Sequence, residues 1–426
     1  MKKEIIKNTA VQLFGRGLII LFGLIATALL TRFLGVAAYG EYSFLLAFFL
    51  FLVTLADWGT PYIGVREICR QKKEEKAKLV FTNLTILRAY FLALALLLAG
   101  GAIIILPLFS NLKVLAFILL PALVFTSFQT SFSLVFQAQL SFFWQTLAEV
   151  LNSGLFLLFL FLALAKNLGL PGAVWALAGS RLVSFLTLFV KGKKYFLGWS
   201  LKKKETLKLL AKESLPAGAL LFLSTAYDRL VDTSFLRYYW GSSAVGIYGL
   251  SYKLYSNLIL PIYFLSRSLF PLFSQRKEGK KQKAAFRLGI SWALLSAFLI
   301  LLAGYLFAPL VIFLLGGADF SASSLLLRLL LFSLPFTYLN HIFGFQLIAQ
   351  GYQRVSLKIG LFSLAWNLSL NWWAIPRYSA LGAAGVTVST EIVVCLLHFL
   401  FSFKNLFGHR KRHASWYNKA NGQKRK

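Results

Sequence analysis

Apolar runs of about 18 residues or more recur from one end of the chain to the other. A helix rises about 1.5 Å per residue, so each run can cross the roughly 30 Å hydrocarbon core of a bilayer. Hydrocarbon supplies no hydrogen bonds, so the backbone of a lipid-exposed run must satisfy itself, which a helix does. The runs lack the period-two alternation of a membrane barrel. Only 14% of the residues are charged, against about 25% in soluble domains, so the 426 residues do not read as two or three soluble domains. The expected fold is an all-α integral membrane protein of about twelve transmembrane helices. The first six spans fall near 9–31, 42–64, 81–107, 114–138, 143–165 and 172–191. The second six fall near 210–237, 244–272, 286–315, 323–349, 355–375 and 383–403. Val11 to Leu30 is longer than a signal-peptide core of roughly 7–15 residues, so it reads as the first permanent span.

Lys and Arg are concentrated in the short gaps between runs. With the N-terminus in the cytoplasm, the inside segments hold 32 of the 45 basic residues and the outside segments hold only Arg32, Lys113, Lys166, Arg237 and Arg377. That asymmetry predicts a multi-pass protein of the cytoplasmic (inner) membrane with both termini inside. It also accounts for the net charge of +31 without a nucleic-acid partner. The basic tail has a simpler partner in anionic membrane lipids. Cys69 and Cys395 form no disulfide framework.

The two halves resemble one another. Gly35, Gly40 and Tyr42 return as Gly241, Gly246 and Tyr248, offset by 206 residues. Ala138-Gln139 returns as Ala349-Gln350, and Leu168-Gly169 as Leu381-Gly382. The ordered matches point to a duplicated six-span unit, with the copies related by an axis along the membrane normal. The expected organisation is an N-terminal lobe over 1–195, a basic cytoplasmic linker over 196–209, a C-terminal lobe over 210–403 and a basic tail over 404–426.

The stretch Arg32-Phe33-Leu34-Gly35, then Tyr39-Gly40-Glu41-Tyr42, resembles the first loop of the polysaccharide transporters. These are the O-antigen and exopolysaccharide flippases of the multidrug/oligosaccharidyl-lipid/polysaccharide (MOP) superfamily. Ala56-Asp57-Trp58-Gly59, Tyr227-Asp228-Arg229-Leu230 and Tyr252-Lys253-Leu254 are similar to later segments of that family. The resemblance implies a V-shaped transporter of two six-helix lobes. It implies a cargo of polyprenyl-pyrophosphate-linked oligosaccharide for polysaccharide biosynthesis, and neighbours among polymerase and glycosyltransferase machinery.

A charge inside a span costs about 2.5–3.5 kcal/mol on insertion scales, so each one marks a wet cavity or an ion pair. Arginine suits a lipid pyrophosphate, because its planar fork binds two phosphate oxygens and stays charged. Arg16, Arg88, Arg181, Arg229 and Lys253 are the candidates for a cationic, substrate-binding cavity. For Arg16 and Arg88 the alternative is snorkelling to headgroups. Asp228 and Asp232 are four residues apart and share a helix face. They read either as a coupling-ion site, for H+ or Na+, or as partners of neighbouring arginines. Asp57 and Glu391 complete the acidic candidates. No cofactor is expected. No phosphate-binding G-x-x-x-x-G-K-[ST] loop, metal-ligand spacing, nucleophile with its base or large outer loop occurs, so the chain does not read as an enzyme. The alternatives are a multidrug cation antiporter of the same superfamily and a non-transporting membrane scaffold subunit.

Overall fold

The computed structural model describes residues 2–407 apart from 72, 140, 200–202, 226–229 and 274–279. The first six spans come from α1 (Lys2–Asp57), α2 (Thr60–Cys69), α3 (Glu74–Ile105), α4 (Lys113–Ala138), α5 (Phe142–Ala165) and α6 (Gly169–Gly192). The second six come from α7 (Lys204–Thr225), α8 (Val231–Leu258), α9 (Leu260–Phe273), α10 (Lys280–Gly316), α11 (Ala322–Leu331), α12 (Leu334–Ala349) and α13 (Gln353–Phe407).

Helix and span do not coincide, and the reason is backbone geometry. The 56 residues of α1 would run about 84 Å if straight, nearly three hydrocarbon cores. The helix instead breaks at Gly35 (φ 72°, ψ 177°) into spans one and two. The 55-residue α13 breaks likewise at Ser379 (φ 51°, ψ −135°) into spans eleven and twelve. Gly241 (φ 76°, ψ −171°) divides α8 between spans seven and eight. Conversely, span two is interrupted at Trp58 and Gly59, both at positive φ, before α2 carries it on from Thr60-Pro61. Span ten is bent by 43° between α11 and α12, where Pro335 opens the second piece.

Packing inside the bundle rests on small side chains. Ala95, Ala116, Ala122, Ala173 and Ala293 are fully buried, as expected where lipid gives no hydrophobic drive and close helix approach must hold the spans together. Large apolar side chains such as Phe14, Leu97, Ile105 and Trp372 face outward, where hydrocarbon is their solvent.

The internal repeat has a structural counterpart. Gly35 and Gly241 adopt nearly the same backbone conformation, one that favours glycine. Gln139 and Gln350 cap α4 and α12 with the same φ of −86°. The repeats also meet. A Cβ added to Gly40 would fall 1.8 Å from the Ser242 carbonyl oxygen, and one added to Gly246 would fall 2.1 Å from that of Val36. Val36 and Ser242 are separated by the same 206 residues as Gly40 and Gly246, so the contact is its own image about a pseudo-two-fold axis.

The glycine contact closes one end of the bundle, opposite the end where Lys73, Lys76, Lys193 and Lys204 are exposed. At this far end Arg32 donates to the Leu314 carbonyl at 2.9 Å and Thr31 to that of Leu315 at 2.7 Å, capping the last turn of α10. Arg237 plays the corresponding part in the other repeat. It donates to the Leu108 carbonyl just past α3 at 2.8 Å and to the Ser242 hydroxyl at 2.7 Å. Helix ends leave their last carbonyls unsatisfied and carry partial negative charge, so a guanidinium is the fitting cap. Toward the basic end, span two lies along span seven through Trp58 against Gly218, Thr54 to Thr225 at 3.3 Å, and an Arg66–Glu213 ion pair. The connection between the lobes is pinned to α3 by Leu197 N–H on Thr82 Oγ1 at 3.0 Å and Lys203 N–H on Asn83 Oδ1 at 2.7 Å.

Candidate functional site

A chamber of about 230 Å³ lies between the repeats, beneath the glycine contact. Span one contributes Phe22 and Thr27, and span two contributes Tyr39, Tyr42 and Ser43. Asn152 and Ser153 come from α5 and Arg181 from α6. The second repeat contributes Thr233, Tyr248, Tyr252 and Lys253, all from α8. The chamber therefore holds one cation from each lobe, four tyrosines and a set of small polar groups.

Arg181 is half-buried, with its guanidinium 5.9 Å from the Phe49 ring centre. Its buried Nε has no hydrogen-bond partner among the described residues, and neither does Asn152 Oδ1 in the same wall. Buried polar atoms of this kind are nearly always satisfied, so both mark places where water or a ligand atom belongs. Arg16 lies outside the chamber wall, where Gly15 is pressed against Thr146 of α5. Its Nε and the Gln145 Oε1 of α5 are also buried without a partner among the described residues.

Arg88 and Asp57 have a different setting. Arg88 is 1% exposed and forms an ion pair with Asp57. It also donates to Thr60 Oγ1 and Ser131 Oγ, both at 2.7 Å, and to the Ser127 carbonyl at 3.1 Å. Neither residue reaches the chamber. The pair clamps the broken segment of span two to α3 and α4. Removing one member of such a buried pair leaves an uncompensated charge, at about 3–5 kcal/mol.

Asp232 is fully buried in the C-terminal lobe. Its Oδ1 accepts from Asn371 Nδ2 at 2.7 Å. Its Oδ2 accepts from Tyr248 Oη at 2.5 Å and lies 3.3 Å from Thr387 Oγ1. Asn371 in turn donates to Asn367 Oδ1 at 2.9 Å. Among the described residues, spans seven, eight, eleven and twelve thus converge on this carboxylate, and the partners named here are neutral hydroxyl and amide groups. Glu391 sits apart, nearer the basic end, where Asn340 donates to its Oε2 at 2.7 Å and His398 Nδ1 lies 3.4 Å from Asn340 Oδ1. Asp228 and Arg229 lie outside the described residues. No group of three or more His, Cys, Asp or Glu with metal-holding geometry occurs among the described residues.

Of the sequence candidates, the structure brings Arg181 and Lys253 together and gives Asp232 its own polar cluster. Asn367, Asn371, Thr387 and the tyrosine walls were not anticipated. Tyr42 and Tyr248 did stand in the sequence repeat as span-start markers. Asn367 and Asn371, one turn apart inside an apolar span, carry the same insertion argument as a charge in weaker form.

A helical bundle of this kind, with a cleft between two related six-span lobes, is the fold of the MOP superfamily of membrane transporters. The solved lipid II flippase MurJ in an inward closed conformation superposes with a TM-score of 0.77 at 15% identity, over 94% of this chain and 87% of that one. An inward-facing multidrug resistance MATE family transporter gives 0.76 at 18% identity, over 91% and 94%. An outward-facing one gives 0.66 at 19%, over 96% and 97%. The polysaccharide biosynthesis protein family model matches residues 5–277 and the MatE model matches 216–373. The chain belongs to the polysaccharide biosynthesis protein family. It is also 28% identical over 200 residues to the capsular polysaccharide biosynthesis protein CapF of Staphylococcus aureus, a match that covers 45% of this chain and about half, 48%, of that protein's length.

Proposed function

We propose that this protein moves a polyprenyl-pyrophosphate-linked oligosaccharide across the cytoplasmic membrane by ion-coupled alternating access. The observation that carries the reading is the chamber with Arg181 on one lobe and Lys253 on the other. Two cationic side chains lining one chamber suit a cargo that carries two or more negative charges, which a lipid pyrophosphate supplies. A cationic multidrug substrate would be repelled there. Tyrosines and small hydroxyls suit a sugar, while the lipid tail stays in the bilayer. With the basic end in the cytoplasm, as the positive-inside asymmetry favours, the Gly40–Gly246 contact closes the outer end. The Asp232 cluster is the coupling-ion site, for H+ or Na+, and its neutral oxygens fit either. Cytoplasmic machinery that builds or polymerises the oligosaccharide would hand over or take up the cargo.

The test is protein reconstituted in liposomes with a fluorescent lipid-linked oligosaccharide, scored by accessibility of the sugar from outside. Each lost charge-assisted contact is worth about 1.5–3 kcal/mol. R181A and K253A should each lower translocation by about 10- to 100-fold at equal protein level. Wild-type rates in both variants would refute the assignment.

A further inference from the structure

Three features meet at a single side chain. Tyr248 is fully buried, and its hydroxyl lies 2.5 Å from Asp232 Oδ2 and 3.3 Å from Thr387 Oγ1. Its ring walls the cargo chamber and packs on Tyr252, with centres 5.6 Å apart. Its backbone is two residues from Gly246, whose contact with Val36 closes the far end. Ion cluster, chamber wall and gate are thereby joined through a side chain with only two rotatable bonds.

We infer that Tyr248 is the positioning residue that links occupancy at Asp232 to opening of the far gate. The inference rests on the reading of Asp232 as the coupling-ion site. In the structure the Tyr248 O–H donates to Oδ2, a bond that is strongest while the carboxylate is charged. A proton or a monovalent metal ion arriving at Oδ2 competes for the same lone pairs. The phenol then has to turn its hydrogen away, or accept where it had donated, and the bond that ties the chamber-wall ring to Asp232 is lost, which frees the ring to move with span eight. The reverse also holds, because coupling free energies are reciprocal. Separating spans two and eight carries the Gly246 turn outward and draws the phenol off Asp232. The carboxylate loses a donor that favoured its bare charged form, and its affinity for a cation rises. Cation binding therefore accompanies the far-open state and release accompanies the closed one. This is the order an exchanger needs to move cargo out as cations move in.

The groups that face Asp232 limit the alternatives. Span eight brings Tyr248, with Tyr252 and Lys253 further along the chamber. Spans eleven and twelve bring the neutral Asn371, Asn367 and Thr387. Glu41 and Arg237 meet at Ser242, at the turn between spans seven and eight. Asp228 and Arg229, on the same helix as Asp232, lie outside the described residues.

The test compares wild type, Y248F, D232N and G246A in liposomes, with flux of the fluorescent lipid-linked oligosaccharide measured with and without an imposed pH or Na+ gradient. The readout is the ratio of the two fluxes, which does not depend on the overall rate. Y248F keeps the ring and should bring the ratio to about one, as should D232N. G246A touches neither Asp232 nor Tyr248 and should lower the cation concentration for half-maximal effect several-fold. A wild-type ratio in Y248F, with D232N uncoupled, overturns the role of Tyr248 alone. A wild-type ratio in D232N overturns the ion-site reading beneath it. If Y248F does not accumulate, an unchanged half-maximal concentration in G246A overturns the link between gate and ion, and a lowered one supports it.

Discussion

A methyl group placed between spans two and eight should hold the far end open. In Gly246→Ala the new Cβ would lie 2.1 Å from the Val36 carbonyl oxygen, where a carbon–oxygen contact needs about 3.3 Å. The obstacle is main chain on both sides, so no side-chain rotation relieves it, and the helices must part by about 1 Å. Forcing extra bulk into a packed contact costs about 1–3 kcal/mol, which shifts the balance of closed and open forms by about 5- to 150-fold. The assay is labelling of Ser43→Cys, a chamber residue, by a membrane-impermeant maleimide added from the outside, in a background where Cys69 and Cys395 are serine. G246A should raise the labelling rate at least five-fold while lowering cargo translocation. By the pseudo-two-fold relation, Gly40→Ala should do the same. Wild-type labelling and transport in both variants would refute the idea that this contact is a gate.

Arg88→Met should lower thermal stability in detergent by about 3–5 kcal/mol, and adding Asp57→Asn should recover part of the loss, as read by a fluorescence melt. Arg32→Ala removes a cap from the C-terminus of α10, worth about 0.3–2 kcal/mol, and Arg237→Ala removes a charged donor from the Leu108 carbonyl in the turn after α3, worth about 1.5–3 kcal/mol. Each should raise Ser43→Cys labelling modestly, and the double variant more than either single. Glu213→Gln breaks an ion pair exposed on both sides, so its effect on melting should stay within about 1 kcal/mol.

The span pattern was legible because length and hydropathy alone decide whether a segment can cross a bilayer. Helix ends were less so. Helix α3 starts at Glu74 and α2 runs to Cys69, since a helix continues past the hydrocarbon as long as its polar residues allow. The repeat was legible at Gly35 and Gly241, where positive φ demands a residue type that leaves a spaced signature. The contact between Gly40 and Gly246 was not, because spacing shows that two glycines are equivalent without showing that they touch. The site was read only in part for the same reason. Insertion cost flags Arg88 and Arg181 equally. Only the fold brings Asp57, Thr60 and Ser131 around the first and leaves the second facing a chamber. Tyr248 carried no charge to flag it, and a tyrosine in an apolar span reads as packing until its hydroxyl is seen on Asp232.

Equilibrium binding of two glycolipids that differ only in their linkage tests the account most directly. Detergent-solubilised protein is titrated with a fluorescent polyprenyl-pyrophosphate oligosaccharide and with its uncharged, phosphate-free counterpart. The two chamber cations predict at least a ten-fold preference for the pyrophosphate form, weakened by salt and abolished in the R181A/K253A double variant. Equal affinity for both lipids, or a preference that survives loss of both side chains, would contradict it.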